Sequence, residues 1–226
     1  MTGRIITLDS CCNWLEFEQG TPEWAQARCG ILTASKGMDM DCMLKSGKES
    51  AKRINLKKQL CSERFTGIPH YIPPTYAMRW GTETEPLARH TYAEFTGFYV
   101  EQVGLALSTE IEFFGASPDG MITAPGMPGR GTLEIKCPES STFFQWVIEG
   151  VLPECHRPQM LAQMAGTGAT WGEFCAFDPR YPAEQDLFIR RFVPHPQEIE
   201  DVKKAARQFL SEVAAMERMF LAAKMV

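Results

Sequence analysis

The chain has 226 residues, with 23 lysines and arginines against 28 aspartates and glutamates, a net charge of −5 and a sequence pI of about 5.5. That length accommodates one sizeable core, and the acidic balance excludes a uniformly basic surface without saying where the cations lie. Met1 to Ser10 lacks a secretory-leader pattern and no apolar run approaches the ~20 residues that span a bilayer, so a soluble, cytoplasmic protein with no membrane partner is expected.

In chain order, the first ten residues read as an edge strand. Thr21-Pro22-Glu23 opens a short helix with a cap, a first-position proline and an early acid. It carries Trp24 and Arg28 and stops at Gly30, after which Thr33-Ala34-Ser35 starts another short helix. Ser50 to Phe65 is an amphipathic helix ended by Gly67 and Pro69. Thr75 to Phe95 is helical in pattern, with a kink or join expected at Pro86. Phe98 to Leu107 and Ile111 to Ala116 read as paired strands, and Thr132 to Cys137 as the next. Ser140 to Glu149 and Pro158 to Gly166 are helices, and Trp171 to Phe177 and Asp186 to Val193 are strands. The final segment repeats Ile199, Val202, Ala206, Phe209, Val213, Met216 and Phe220 as one apolar stripe, which packs on the domain's own sheet or forms a coiled-coil seam. This order predicts a mixed α/β (α+β) domain over residues 1–226, with a central sheet flanked by helices.

Eight cysteines are present but none forms a C-x-x-C pair, which points to reduced thiols rather than a cysteine-bound metal. Between Lys45 and Arg64 seven basic residues face only Glu49 and Glu63. Such a run is either a phosphate-facing wall or a solvated helix face.

The stretch GASPDGMITAPGMPGRGTLEIKCP concentrates the chemistry. On a strand, Glu134 and Lys136 project together, while Leu133, Ile135 and Cys137 take the opposite side. Asp119 ends the preceding strand at a turn and lies beside Glu134 if the two strands are neighbours. Two carboxylates held together need more positive charge than one ammonium supplies. Mg²⁺ suits them, because it binds through one or two carboxylates plus substrate phosphate. The bland reading is a salt bridge on an exposed strand.

Pro118-Asp119 followed by Glu134-Ile135-Lys136 resembles the PD-(D/E)xK nuclease motif. The chain is further similar to the phage lambda exonuclease and YqaJ-type viral recombinase family. The matching pieces are Trp24-x-x-x-Arg28, Ile31-x-Thr33-Ala34-Ser35, Trp80-Gly81-x-x-x-Glu85, Ser117-Pro118-Asp119-Gly120, Leu133 to Pro138, and Asp178-Pro179-Arg180.

The resemblance implies a restriction-endonuclease-like fold, with a mixed central sheet between helices. It implies a Mg²⁺-dependent 5′-to-3′ exonuclease that degrades one strand of linear duplex DNA to mononucleotides. Two ions are expected, with Mn²⁺ as a substitute. The remaining 3′ overhang would pass to a single-strand annealing protein, and the enzyme would be a homotrimeric ring in a bacterial host or prophage. Asp119, Glu134, Glu85 and the Ile135 carbonyl would hold metal. Lys136 would orient or activate water, and Gln159 would position the lysine, with Gln163 one turn on. Arg28, Ser35 and Ser117 would hold the terminal 5′-phosphate. Met78 would be a strand-separating wedge and Lys45 a groove contact. Another PD-(D/E)xK endonuclease or repair nuclease, or a non-catalytic DNA-binding protein on the same fold, stays open.

Overall fold

A computed structural model describes residues 5–9 and 11–224. Hydroxyl side chains cap the starts of three helices. Thr21, Ser50 and Thr75 accept from the N–H groups of Trp24, Arg53 and Met78. The helices they start are α1 (Pro22–Ala27), α3 (Ala51–Thr66) and α4 (Tyr76–Thr96). A 3-10 turn, Ala34–Lys36, leads into the four-residue α2 (Gly37–Met40). α4 runs through the exposed Pro86 as one element, where the sequence suggests a kink or join. α5 (Ser140–Glu149), α6 (Arg157–Thr167) and the long α7 (Pro196–Ala223) complete the helices.

Ten described strands divide between two five-stranded sheets rather than one. The first has the order β1 (Ile5–Asp9), β2 (Cys12–Leu15), β5 (Leu105–Ser108), β6 (Phe114–Ala116) and β3 (Leu32–Thr33). β1 is its edge, as expected for the first residues. The second has the order β10 (Leu187–Phe192), β9 (Gly172–Phe177), β8 (Gly131–Lys136), β7 (Gly120–Thr123) and β4 (Tyr99–Glu101). Both are mixed: β3 runs parallel to β6, and β8 parallel to β9.

The expected strand from Phe98 to Leu107 is therefore two strands, one in each sheet. The crossover passes Gly104, where a Cβ would lie 2.2 Å from the Leu15 carbonyl oxygen. No other residue allows that approach of β2's backbone. The expected strand from Ile111 starts three residues late, at Phe114, because Phe113 adopts a left-handed φ of 59°.

β8 separates two apolar clusters. Leu133 and Ile135 enter one with Ala88 and Tyr92 of α4. The other joins α6 and α7 to the first sheet through Met160, Met164, Ala206, Phe209 and Val213. The α7 stripe thus covers helices α3 and α6 rather than a sheet. It carries a polar edge as well. Glu212 pairs with Arg53 and Lys57 of α3, which are also bound to Glu49, and Glu217 pairs with Arg64. Three cations of the basic run are consequently structural, and Lys45, Lys48, Lys52 and Lys58 remain exposed.

Candidate active site

Asp119 stands in the turn between β6 and β7, held from several directions. Its N–H donates to the Leu133 carbonyl at 3.0 Å, and its carboxylate accepts from the Ile135 N–H at 2.7 Å. Arg89 of α4 donates to its carbonyl at 3.0 Å. Gln19 donates to the preceding Pro118 carbonyl at 2.8 Å and to Val103 at 3.0 Å. On β8 the alternation works as the sequence suggests. Glu134 is fully buried, its carboxylate paired with the Lys136 ammonium and receiving a hydrogen bond from Gln163 of α6. Glu85, one α4 turn before Arg89, pairs with it. Asp119, Lys136, Glu85, Met78 and Trp146 share a cleft of about 440 Å³.

Charge in this cleft is unbalanced toward the negative. Burial, and then the nearby Glu134, push the Asp119 carboxyl well above the usual range. Burial also raises Glu85, against the pull of Arg89 and Lys136. Lys136 goes the other way. Burial disfavours its ammonium, but Glu134 and Asp119 more than offset that, so its proton is held more tightly than normal. The thiol of Cys137, next along the strand, is pushed up to about 12 by burial and then by Glu85, which leaves it unreactive.

Three hard oxygen donors around an excess of negative charge suit a divalent cation. Among the described residues no three His, Cys, Asp or Glu side chains close a cage. Mg²⁺ needs no such cage, because it keeps several waters and completes its shell with substrate phosphate. Asp119 and Glu134 with the Ile135 carbonyl could hold such an ion, and Glu85, paired here with Arg89, could add a further ligand.

A second cavity, of about 290 Å³, is lined by Trp24, Arg28, Thr33, Ser35 and Glu63. Trp24 donates its indole N–H to the Ser117 hydroxyl at 3.2 Å. The Arg28 guanidinium lies 3.9 Å from the Trp24 ring centroid and donates to Thr33 at 3.0 Å and Ser35 at 3.1 Å. Its Nε is buried with no acceptor. Burial lowers its pKa to about 10, with Glu63 opposing. A half-buried, incompletely bonded guanidinium flanked by two hydroxyls could receive a small anion.

The sequence-derived residues fall in two places: Glu85, Asp119, Ile135, Lys136 and Met78 line the cleft, and Arg28 and Ser35 line the second cavity. Gln159 is half-buried on α6, one turn before Gln163, and the contact to Glu134 is made by Gln163. Met78 is half-exposed in the cleft lining, whereas Lys45 lies in the exposed loop before α3. Trp80 is half-buried beneath the Arg180 guanidinium at 4.8 Å. Arg180 also binds Asp178 at 2.6 Å and the Pro138 carbonyl at 2.9 Å, tying α4 to the ends of β8 and β9. Arg89, Gln19, Trp146 and His156 were missed by sequence reasoning. Only Arg89 left a signal, its four-residue spacing from Glu85 on a helix.

Residues 23–170 match the model of the YqaJ-like viral recombinase domain. No curated protein matches the chain. Among solved structures, the alkaline exonuclease LHK-Exo from Laribacter hongkongensis is 35% identical, with a TM-score of 0.80, covering 91% of this chain and 100% of that one. LHK-Exo in complex with dAMP gives 34% identity at the same TM-score and coverage. A phage-related exonuclease from Haemophilus somnus 129PT shares the fold at 12% identity and a TM-score of 0.59, over 82% of this chain and 96% of that chain. With its nuclease motif gathered at the turn before β7 and on β8, and most of its length matched, the chain belongs to the YqaJ-like viral recombinase family and is a nuclease related to the alkaline exonucleases.

Proposed function

We propose that the protein is a Mg²⁺-dependent 5′-to-3′ exonuclease. It degrades one strand of linear duplex DNA to mononucleotides and leaves a 3′ overhang for strand annealing. The observation that carries this reading is the link between two pockets. The cleft of Asp119 and Lys136 is tied to the pocket of Arg28, Ser35 and Trp24 by the Trp24 hydrogen bond to Ser117, two residues before Asp119. A terminal 5′-phosphate seated on Arg28 sets which phosphodiester reaches Asp119, and an internal segment of a closed circle has no such phosphate to offer. The relative solved with dAMP, a mononucleotide, is consistent with a mononucleotide product.

In this reading Lys136 keeps its proton and acts as a fixed positive donor toward the attacking oxygen or the charge building on phosphorus. Glu134 and Asp119 hold that ammonium in place, and Gln163 fixes Glu134's carboxylate plane. A bound divalent ion supplies Lewis-acid polarisation of the phosphoryl group and a more acidic water. Arg28 and the two hydroxyls hold the end, Met78 separates the terminal base pair, Lys45 contacts the groove, and Gln159 orients groups beside Lys136. The working assembly in this proposal is a homotrimeric ring that hands its overhang to a single-strand annealing protein. Among the described residues no helix is long and apolar enough to cross a membrane.

The test compares linear duplex bearing 5′-phosphate or 5′-hydroxyl ends with closed circular duplex, each with Mg²⁺ or EDTA. The expected result is mononucleotide release from linear DNA alone, faster with 5′-phosphate and abolished by EDTA. Cutting of closed circles identifies an endonuclease, and binding without hydrolysis identifies a non-catalytic relative.

A further inference from the structure

We propose that Trp146 is a stacking platform for a base of the strand being cut, so that the cleft grips its nucleotide by the base as well as by the phosphate. This rests on the exonuclease reading above and adds a binding residue to it. Trp146 projects from α5 into the cleft that holds Glu85, Asp119 and Lys136, and it is only half-buried. The remaining lining includes Ala77, Met78, Gly81 and Pro138, so the wall beyond the charged centre is apolar. A phosphodiester at Asp119 and Lys136 carries a sugar and a base on each side, and those bases need a surface that replaces their lost stacking. Among these lining residues Trp146 is the one aromatic ring.

The ring is also held in place. His156 meets the indole edge-on at 5.3 Å between centroids, and Phe174 does so at 5.5 Å. His156 itself stacks on the fully buried Phe174 at 5.1 Å. Its imidazole is kept neutral by burial and then by Lys136, with a pKa lowered to about 4, so the support is an uncharged aromatic cluster. A plane fixed by two rings loses little freedom when a base stacks on it. Every base has a π face, so such a platform suits an enzyme that must accept any sequence.

The experiment measures steady-state hydrolysis by wild type, Trp146→Phe and Trp146→Leu. The substrates are 5′-phosphorylated duplexes with an ordinary nucleotide or an abasic tetrahydrofuran at the first or second position. Thermal melts of all three proteins run alongside. The expected result is a KM rise of about tenfold for Trp146→Leu on the ordinary end, with kcat little changed and most of the loss restored in Trp146→Phe. With the abasic site at the stacked position, wild type and Trp146→Leu should converge. Equal losses on ordinary and abasic ends, or no loss at all, would overturn the proposal in favour of a packing role.

A second measurement covers failure of Trp146→Leu to fold and failure of the exonuclease reading. Duplex carrying 2-aminopurine at the first or second position is titrated with Lys136→Ala protein in Mg²⁺, with and without Trp146→Phe. Quenching weakened by Trp146→Phe supports the platform, and identical quenching sinks it. If wild type hydrolyses no linear duplex, the exonuclease reading has failed and the fluorescence result decides the platform alone.

Discussion

Replacing Glu212 with glutamine tests whether α3 belongs to the fold or to DNA. Glu212 reaches from α7 to Arg53 at 2.6 Å and to Lys57 at 3.1 Å, both nearly buried. Those contacts, Arg53 foremost, hold its carboxyl at about 2 instead of the ordinary 4.5. A gap of about 2.5 between those values, at ~1.36 kcal/mol per pH unit, is worth about 3 kcal/mol at neutral pH. The Glu212 side chain is 29% exposed and Glu49 still partners both cations, so the net loss should be nearer 2 kcal/mol. For a chain of this size that is a fall in Tm of about 4–8 °C.

The pH dependence is a second signature. A carboxyl with a depressed folded pKa contributes stability that is complete above its unfolded value. That contribution is lost as pH falls through the folded one. The difference in stability between wild type and Glu212→Gln should therefore be constant from pH 8 to 6. It should narrow below about pH 5, toward the folded value of about 2. Chemical denaturation across that range measures it. Exonuclease rate and salt dependence at 25 °C should be unchanged. An unaltered Tm, or a gap that does not narrow in acid, refutes the structural account of Arg53 and Lys57.

At the active site, Lys136→Ala should reduce hydrolysis at least ~100-fold while DNA binding by gel shift persists, because a charged donor is lost and no scaffold contact beyond Glu134 goes with it. Asp119→Asn should abolish hydrolysis yet raise the Tm of metal-free protein at pH 8, since burial and Glu134 make that carboxylate costly. For a raised acid, stability falls as pH climbs from its ordinary 3.8 toward the folded value, so the gain should vanish as pH drops toward 4. Gln163→Leu should cost about 1–3 kcal/mol in denaturant titrations, by leaving a buried Glu134 oxygen without its donor. Arg28→Lys should equalise rates on 5′-phosphate and 5′-hydroxyl ends, because an ammonium lacks the planar fork that can keep Thr33 and Ser35 on one edge and grip a phosphate with another.

The strand that carries Glu134 and Lys136 was legible because its information is local. A period of two puts Glu134 and Lys136 on one face whatever surrounds them, and a Pro-Asp-Gly turn stops Asp119 at the strand's start. Helix starts were legible for the same reason, since Thr21, Ser50 and Thr75 act within their own first turns. The second sheet was hidden, because the split at Gly104 depends on the backbone of Leu15, far away in sequence. Gln163 was hidden in another way. Two glutamines four apart share one face of α6, and only the docking of that helix on β8 decides which meets Glu134. The function of the basic run was half-readable. Arg53, Lys57 and Arg64 fall on one face of α3 at helical spacing, the pattern of an ion-paired seam, but the acids that answer them lie on α7.

That seam also resolves the tension between an acidic chain and a DNA substrate. Burying Arg53 and Lys57 against Glu49 and Glu212 removes both signs together, so the net charge of −5 says little about the face that meets phosphate. What remains exposed from the run is four lysines, Lys45, Lys48, Lys52 and Lys58, each a hydrated point charge suited to loose, sequence-independent contact. Arginine is used instead where geometry must be fixed, as with Arg28 on its hydroxyl pair and Arg180 over Trp80. A nuclease that worked as proposed, one nucleotide at a time, would need that division: a weak hold on the duplex, so that it can slip, and a rigid one on the end and the scissile bond, so that each step stops at the same atom.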